Sequence, residues 1–598
     1  MFRRAVSSSL RSQARPLTTS ATRTRTGRAS LAVGSAALAG GVALYASTNT
    51  LWNDAPANEN FQALDGTEAG SSETVEDVPQ PSKVTELNPD VLETFVWGSN
   101  KSRTLDPEQA ESLRLPSLAN WLNGVALRDL ALHESYGACV DAKGDVYQWG
   151  EGYSGADAQR DGKPAATLRG KNIVQLQLTE SRLFALSSSG KVYVLPASAE
   201  KQALPNPPAR PSWLGAQLWS DATTIDYEEL APKQALKRGE KYVQLLIAVH
   251  ITYLRLRFTS IAAGDDHLLA LTSQGRTFAH PITKAANNCG QLGFRRFEVP
   301  DPASPPQTLQ VELRARSPNA SLLQGAGPSS SDNLVAFNDA DIRWCPYLFE
   351  VPALRGIEMA GIAAGKRSSF ARTKDGRVLA WGANEAGQLG LGRTVNLDVV
   401  TVPTEVVLWA ATPQRTRTKC LDVAAGGNLT CFTVEREDAQ APKTVEVLMC
   451  GDGQWGGLGG NNYSTAQSTP LRARNVSGLA EYDDATGAMQ PIGPRDVAVS
   501  PTGHVLLTLN TAASNPSAGK DLVVWGRNHT YELGTGRMKS LPAPTTLFTP
   551  EGARVMLRQQ KAKEVRALDG SVWKRNVEVV QHAAVGYNSS VVYWRIAQ

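Results

Sequence analysis

Seven stretches of the chain alternate apolar with small or polar residues and then run into a glycine-rich turn. One of them, residues 376–392, reads GRVLAWGANEAGQLGLG. A period of two is typical of β-strands, and glycine supplies the positive φ that tight turns require. The other six copies lie at 95–100, 144–155, 190–196, 275–293, 445–460 and 522–536. The pattern therefore predicts a repeated strand-and-turn unit whose strands are half-buried.

A second apolar element precedes most of these units. It reads IAAGDDHLLALTSQG at 261–275, and further copies lie at 362–376, 423–434 and 582–594. The copy at 582–594 has no strand-and-turn unit after it, whereas the first unit, at 95–100, has no such element before it. One half of a repeat is thus left over at each end of the repeated region.

These residues resemble the repeat of the regulator-of-chromosome-condensation family of β-propellers, and WGANEAGQLGLG at 381–392 follows that repeat closely. The resemblance covers about residues 91–598. It implies an all-β fold, a seven-bladed β-propeller, in which SVVYWRI near the C-terminus pairs with the strand of Trp97 and closes the ring. Closure removes exposed sheet edges. The residues expected to define the repeats are Trp97, Trp149, Gly264, His267, Gly365, Trp381, Gly390, Gly426, Gly451, Trp525, Gly534 and Gly586.

The spacing of the repeats predicts two long inserts, at about 195–260 and 294–361. Both contain stretches rich in proline, serine or glycine that are typical of exposed loops. The apolar segment Leu245–Phe258 fits no position of the repeat. It is open whether this segment is an extra strand, a partner-binding segment or a wrongly assigned stretch of coding sequence.

The first thirty residues carry seven arginines and no acidic residue, and they are rich in serine and threonine. This composition predicts a mitochondrial presequence over residues 1–30. Residues 48–90 hold nine acidic residues against Lys83 alone. An acidic segment with proline, serine and glycine predicts a disordered linker.

Between these two segments, residues 31–47 carry no charge. At about 1.5 Å per residue a helix of this length spans about 25 Å, slightly less than a hydrocarbon core of about 30 Å. We interpret it as a single transmembrane anchor, the alternative being the distal part of a cleaved targeting sequence. The orientation expected from the basic N-terminus places the propeller in the intermembrane space, with the matrix as the alternative. The apolar residues of the anchor are Leu31, Val33, Leu38, Val42 and Leu44.

Two stretches resemble nucleotide-binding motifs but lack the sequence context that such motifs require. GDGQWG at 451–456 has the glycine spacing of a dinucleotide site but precedes GLGGNN rather than a helix. GIAAGKRS at 361–368 is one residue short of a phosphate loop, and its paralogous copies lack the lysine. His267 is interpreted as a packed or hydrogen-bonded histidine, and the six cysteines as buried small residues. We therefore predict no catalytic residue, metal or cofactor.

The sequence favours a non-enzymatic scaffold tethered to the mitochondrial inner membrane. Its layout resembles that of the fungal mitochondrial members of the family, which are linked to assembly of the cytochrome bc1 complex. The expected partners are inner-membrane proteins, including respiratory-complex subunits. The alternatives are a guanine-nucleotide exchange factor for a mitochondrial GTPase and a factor associated with ribosomes or RNA. Removing the seven arginines of residues 1–30 and the net −8 of residues 48–90 from the net charge of +4 leaves +5 for the rest of the chain, which gives the nucleic-acid alternative little support.

Overall fold

A computed structural model describes residues 92–597, and all described residues belong to one unit, Thr85–Gln598. The presequence, anchor and linker predicted over residues 1–90, and most of Leu245–Phe258, lie outside the described residues. No helix in the described ranges combines the length and hydrophobicity needed to cross a bilayer. Within 92–597 the ranges left undescribed are 107–108, 156–163, 205–224, 235–255, 302–306, 316–336, 394, 396, 410–411, 414, 439, 484–486, 512–518, 550–551 and 553.

The described residues form an all-β fold. In chain order the first strands are β1 (Phe95–Ser99), β2 (Ser112–Leu118), β3 (Asp129–Leu132), β4 (Gly137–Val140), β5 (Val146–Trp149), β6 (Ala165–Leu168), β7 (Ile173–Leu178), β8 (Arg182–Ser187), β9 (Val192–Pro196), β10 (Glu228–Gln234), β11 (Phe258–Ala263), β12 (His267–Thr272), β13 (Thr277–Pro281), β14 (Arg296–Pro300), β15 (Thr308–Glu312), β16 (Tyr347–Glu350) and β17 (Met359–Ala364).

The remaining strands are β18 (Ser368–Thr373), β19 (Val378–Ala383), β20 (Val399–Glu405), β21 (Arg417–Gly426), β22 (Leu429–Asp438), β23 (Ala441–Gly453), β24 (Ser464–Arg472), β25 (Leu479–Asp483), β26 (Ala488–Ile492), β27 (Pro494–Val499), β28 (His504–Leu509), β29 (Lys520–Gly526), β30 (Leu541–Thr546), β31 (Met556–Leu557), β32 (Gln559–Arg566), β33 (Val572–Val585) and β34 (Ser589–Ile596). The helices of the described ranges are single turns: α1 (Glu151–Ser154), α2 (Ala199–Gln202) and two 3₁₀ turns, Asn120–Leu122 and Pro352–Leu354.

Most of these strands fall into four-stranded antiparallel modules. Modules 1, 4, 5 and 6 are β3–β6, β17–β20, β21–β24 and β27–β30. Module 2 (β7–β10) and module 3 (β11, β12, β13, β16) share one eight-stranded sheet, because β10 and β16 pair in parallel. Module 7 combines the two ends of the chain in the order β33, β34, β1, β2, with β32 added beside β33. The described part of the chain thus contains seven such modules.

The innermost strands of the modules surround a central cavity. They are β3, β7, β11, β17, β21, β27 and β33, and each contacts the next, including β33 with β3. Residues of all seven line a cavity of about 1390 Å³. The fold is therefore propeller-like, and each module buries its faces against its two neighbours. Consequently β8, β12 and β28 are buried along their whole length, unlike the half-buried strands that alternation predicted.

The first and last strands of the described region meet in module 7, as the orphan half-repeats predict. Val96 pairs with Val591 and Trp97 with Ser590 in an antiparallel ladder between β1 and β34. The expected pairing of the C-terminal strand with the strand of Trp97 is confirmed.

Both predicted inserts need correction. The range 195–260 contains β10 and the start of β11, and 294–361 contains the hairpin β14–β15, strand β16 and the first half of β17. Parts of each insert are therefore strands of modules 2, 3 and 4. The sequence pattern does not identify the fourth strand of each module, because these strands carry no tryptophan or glycine signature. Their position follows from pairing with the third strand.

Deleting residues 583–598 should destabilise the protein severely. The deletion removes β34 and so leaves β1 and the rest of β33 each with one unpaired edge, and it removes the buried side chains of Val591, Val592 and Tyr593. We expect aggregation or loss of a cooperative unfolding transition, measured by size-exclusion chromatography and thermal denaturation. Removing Gln598 alone is the control. A truncated protein that melts like the full chain would contradict closure through β34.

Candidate functional site

A repeated hydrogen bond connects neighbouring modules. The indole of Trp381, on the third strand of module 4, donates through Nε1 to the backbone oxygen of Gln291 in module 3, at 2.8 Å. The same bond, also at 2.8 Å, joins Trp97 to Glu532, Trp149 to Thr104 and Trp525 to Gly457. In each pair the acceptor lies in the loop after the third strand of the preceding module. We call this loop the acceptor loop.

Asparagine shapes these acceptor loops at a fixed spacing. The Oδ1 atom of Asn384 accepts the backbone N–H of Leu389, five residues later, at 3.2 Å. The same bond is made by Asn100 to Leu105, Asn287 to Leu292 and Asn528 to Leu533. Inside the loop, Gln388 Oε1 accepts the N–H of Ala386 at 2.9 Å. Sequence reasoning saw NxxGQLG as a turn but missed that its asparagine holds the loop that the next tryptophan binds.

The acceptor-loop interaction varies around the ring. At the position of the tryptophan, module 5 has Cys450, whose Sγ lies 3.3 Å from the backbone oxygen of Gln388. Module 3 has His280 there, since His280 pairs with Leu268 as Trp381 pairs with Ser369. His280 Nδ1 lies 2.9 Å from the backbone oxygen of Tyr347, on a strand of its own module. The junction of modules 2 and 3 is instead reinforced by the pairing of β10 with β16.

Two kinds of predicted glycine serve these junctions. Gly534 has φ +66°, and a Cβ there would lie 2.9 Å from Trp97 Cδ1. Gly264 sits where modules approach each other, because its Cβ would lie 2.4 Å from the backbone oxygen of Gly365. Gly390 resembles Gly534: it has a positive φ and lies against side chains of the next module. Three further glycines resemble Gly264 and lie where modules approach each other: Gly365, Gly426 and Gly586. Gly451 has φ +107° and faces the backbone of Asn428.

His267 is a buried junction residue. Its Nε2 lies 2.8 Å from Ser369 Oγ in module 4, and that hydroxyl also donates to the backbone oxygen of Gln291 at 2.8 Å. Burial lowers the pKa of His267 to about 3, so its imidazole is neutral at pH 7. His504 repeats the arrangement with Ser590 at 3.3 Å. The geometry agrees with the interpretation of His267 as a packed, hydrogen-bonded histidine.

The turns after the inner strands meet on one side of the ring, which we call the loop face. The acceptor loops end on the same side because third strands run parallel to inner strands. Four acidic residues of modules 1 to 3 lie on this face beside the cavity, and we call them the acidic arc: Glu134, Glu180, Asp265 and Asp266. Module 4 contributes Lys366 and Arg367, and Lys366 Nζ lies 3.8 Å from Asp265 Oδ2.

Tyr587 completes the arc from module 7. Burial, together with the negative charges of Asp265, Glu134 and Glu180, raises its pKa to about 12. Its ring packs edge-on against His133, with centroids 4.6 Å apart. Burial also raises the pKa of Asp265, against the opposing effect of Lys366. Modules 1 to 3 therefore present four carboxylates on one face, bordered by the neutral hydroxyl of Tyr587 and by Lys366 and Arg367, and such a row of carboxylates suits a positively charged partner.

Deeper in the cavity, polar side chains link neighbouring modules. His582 Nδ1 in module 7 lies 3.5 Å from Asp496 Oδ2 in module 6. Asp129 in module 1 accepts the N–H of Leu176 in module 2 at 2.8 Å, and burial raises its pKa. Arg595 donates to the backbone oxygen of Arg128 at 3.1 Å. Each of these contacts joins two modules, so we assign the network to ring assembly.

The cysteines are buried free thiols, as the sequence predicts. The described residues contain no group of three or more His, Cys, Asp or Glu side chains arranged to hold a metal ion. GDGQWG and GIAAGKRS fall on strands and turns of modules 5 and 4, where the repeat places them.

Comparisons with known proteins agree with this geometry. Residues 375–433 match the family described as Regulator of chromosome condensation (RCC1) repeat, and residues 360–388 match a second family of the same description. Together the matches cover module 4 and the start of module 5. The chain therefore contains RCC1 repeats over residues 360–433.

Its relatives include mitochondrial proteins. Protein FMP25, mitochondrial, of Saccharomyces cerevisiae is 22% identical over 515 residues, which is 84% of this chain and 72% of that protein. RCC1 domain-containing protein RUG3, mitochondrial, of Arabidopsis thaliana is 23% identical over 393 residues, covering 65% of this chain and 67% of that protein. A crystal structure of Kap60 bound to yeast RCC1 (Prp20) aligns with a TM-score of 0.48 and 17% identity, covering 88% of this chain and 97% of that one.

Trp381 and Ser369 should be energetically coupled, because both donate to the same buried carbonyl of Gln291. Each of Trp381→Phe and Ser369→Ala leaves that carbonyl one donor, whereas the double variant leaves it none. We expect the double variant to lose about 1 kcal/mol more than the sum of the single losses. Urea unfolding of the four proteins measures this coupling. The partly exposed Trp455→Phe is the control for indole loss, and simple additivity would contradict the shared-acceptor geometry.

Proposed function

We propose that this protein is a non-enzymatic propeller scaffold that binds other proteins through its loop face. The observation that carries this proposal is the acidic arc: three adjacent modules place Glu134, Glu180 and Asp265 around the mouth of the cavity. A rigid ring holds these carboxylates in position before a partner arrives, which lowers the entropic cost of binding. The complementary partner is a protein with a basic segment.

The same proposal treats the seven modules as the blades of one closed propeller. Support comes from the seven inner strands, each in contact with the next, and from the pairing of β1 with β34. Closure gives the loop face a fixed shape.

We further propose that the protein works at the mitochondrial inner membrane, in assembly of the cytochrome bc1 complex. The arginine-rich residues 1–30 and the uncharged residues 31–47 support targeting and anchoring. The similarity to two proteins named as mitochondrial supports the compartment. The placement in the intermembrane space rests on the basic N-terminus, which is expected to enter the matrix ahead of the anchor, and the respiratory client rests on the resemblance in layout to fungal family members.

A second candidate function is nucleotide exchange on a mitochondrial small GTPase. Exchange requires a face that competes with nucleotide and magnesium for the GTPase, and a row of carboxylates offers that chemistry. Accelerated release of GDP from a GTPase captured by this protein would favour this function over a passive scaffold.

Reversing charge on the acidic arc should remove the main partner. Glu134 and Glu180 are exposed, so Glu134→Lys with Glu180→Lys should leave the fold intact while repelling a basic segment. We expect at least a tenfold loss of the principal protein recovered by affinity purification from solubilised mitochondria, quantified by mass spectrometry. Glu358→Lys, on the opposite side of the ring, is the matched control. An unchanged set of partners would overturn the assignment of the loop face.

The proposed topology predicts that the propeller is accessible to protease in mitoplasts and resists alkaline carbonate extraction. The physical reason is that an uncharged segment of seventeen residues is costly to remove from hydrocarbon. A propeller protected from protease after rupture of the outer membrane would place it in the matrix. Release by carbonate would show that no anchor is present.

A further inference from the structure

A second cavity opens on the side of the ring opposite the loop face. Its volume is about 400 Å³, within the size range of small-molecule sites. Val174 and Thr259 line both this cavity and the central one, at the ends where the inner strands begin. Modules 1, 2, 3 and 7 contribute to its wall. We call it the basal pocket.

Two arginines from different modules border the basal pocket. Arg128 precedes β3, and Arg257 precedes β11. Among the described residues neither guanidinium lies within ion-pair distance of a carboxylate, although Asp141 and Asp145 are close enough to act on the pKa of Arg128. Burial is the larger effect there and lowers that pKa. Two cations without a bound acidic partner favour an anionic ligand.

Hydrogen bonds hold both guanidinium groups against two neighbouring turns of module 2, one before β7 and one after β8. Arg128 Nη1 donates to Asn172 Oδ1, Asn172 Nδ2 donates to Ser188 Oγ, and Arg257 Nη2 donates to the backbone oxygen of Ser188. Arg128 Nε also donates to the backbone oxygen of Ala142 at 3.1 Å. Arg128 Nη1 also donates to the backbone oxygen of Ile173 at 3.3 Å. Arg128 therefore keeps Nη2, and Arg257 keeps Nε and Nη1, as N–H donors for a ligand.

Two glycines leave room for the arginine side chains. A Cβ on Gly190 would lie 2.2 Å from Arg257 Cγ, and one on Gly144 would lie 2.8 Å from Arg128 Nη1. Trp573 of module 7 forms another wall, with the Arg128 guanidinium 5.8 Å and Lys574 Nζ 4.6 Å from its ring centroid. The floor is apolar, with Leu186, Phe258 and Ile596. The pocket thus combines fixed cationic donors with an apolar surface.

We propose that the basal pocket binds a phosphate monoester, carried either by a small organic molecule or by an anionic phospholipid headgroup. A phosphate dianion matches the two guanidinium groups, because Arg257 can donate two parallel hydrogen bonds through Nε and Nη1 while Arg128 donates through Nη2. The Ser188 hydroxyl, which accepts from Asn172, keeps its proton for the same ligand. The apolar floor takes the carbon skeleton attached to the phosphate. This site is separate from the acidic arc and does not depend on the proposed partner.

Binding is tested with the purified full chain in detergent or nanodiscs. The probes are glycerol 3-phosphate, inorganic phosphate, and phosphatidylcholine vesicles with or without phosphatidic acid. Saturable binding of glycerol 3-phosphate by calorimetry assigns a small-molecule ligand, and co-sedimentation only with vesicles that contain phosphatidic acid assigns a lipid. Absence of saturable binding to every probe up to about 10 mM overturns the proposal.

Arg257→Gln is the diagnostic variant because Arg257 is exposed and its loss removes one of the two cations. We expect binding of the positive probe to weaken about tenfold. Lys419→Gln is the matched control: Lys419 packs against Gly376 as Arg257 packs against Gly190, but lies outside the pocket. Thermal unfolding of each variant, with and without probe, separates a lost site from a lost fold. Equal binding by wild type and Arg257→Gln overturns the proposal.

Discussion

The architecture depends on one recurrent interaction, the donation of an indole N–H from one module to a backbone carbonyl in the acceptor loop of the module before it. A buried carbonyl without a donor is costly, and a buried indole N–H without an acceptor is equally so. Trp381 and Gln291 satisfy each other across the boundary between modules 3 and 4. At the four junctions that have this tryptophan, neither module can complete its own hydrogen bonding, so contacts between modules help to hold the ring together.

The junctions also explain why buried polar residues are abundant in an all-β core. His267, Ser369 and Gln291 form one chain of bonds between modules 3 and 4, and His504, Ser590 and Glu532 form its counterpart at ring closure. In the second chain a glutamate replaces glutamine and is fully buried, with its carboxylate accepting the N–H of Thr530. The junction between modules 6 and 7 thus has the same hydrogen-bond geometry as the junction between modules 3 and 4, with a glutamate in place of the glutamine.

The two sides of the ring differ in electrostatic character. The loop face carries the acidic arc, whereas the opposite side carries the basal pocket with Arg128 and Arg257. The difference is possible because the repeated fold constrains only the glycine, asparagine and tryptophan positions. The other turn residues on either side of the ring can vary in charge without disturbing the fold. A propeller with one acidic and one basic site can hold two unlike ligands at a fixed separation.

The sequence by itself determined the repeat, the all-β class and the pairing of the two chain ends. These follow from local signals: alternation at Val378–Trp381, the turn glycines, and an orphan half-repeat at each terminus. The NxxGQLG spacing also specifies the hydrogen bond that asparagine makes within each acceptor loop. The role of that bond, which is to hold the loop for the tryptophan of the next module, became evident only from the structure.

Only the tertiary structure decided which strands fill the outer positions and which charged residues share a surface. Strands β10 and β16 have no repeat signature, and their place follows from partners far away in sequence. Glu134, Glu180 and Asp265 lie on three different turns, and Arg128 and Arg257 are 129 positions apart in the chain. Which charged residues share a surface depends on how the modules pack side by side. The hydrophobic periodicity along one strand carries no information about that packing.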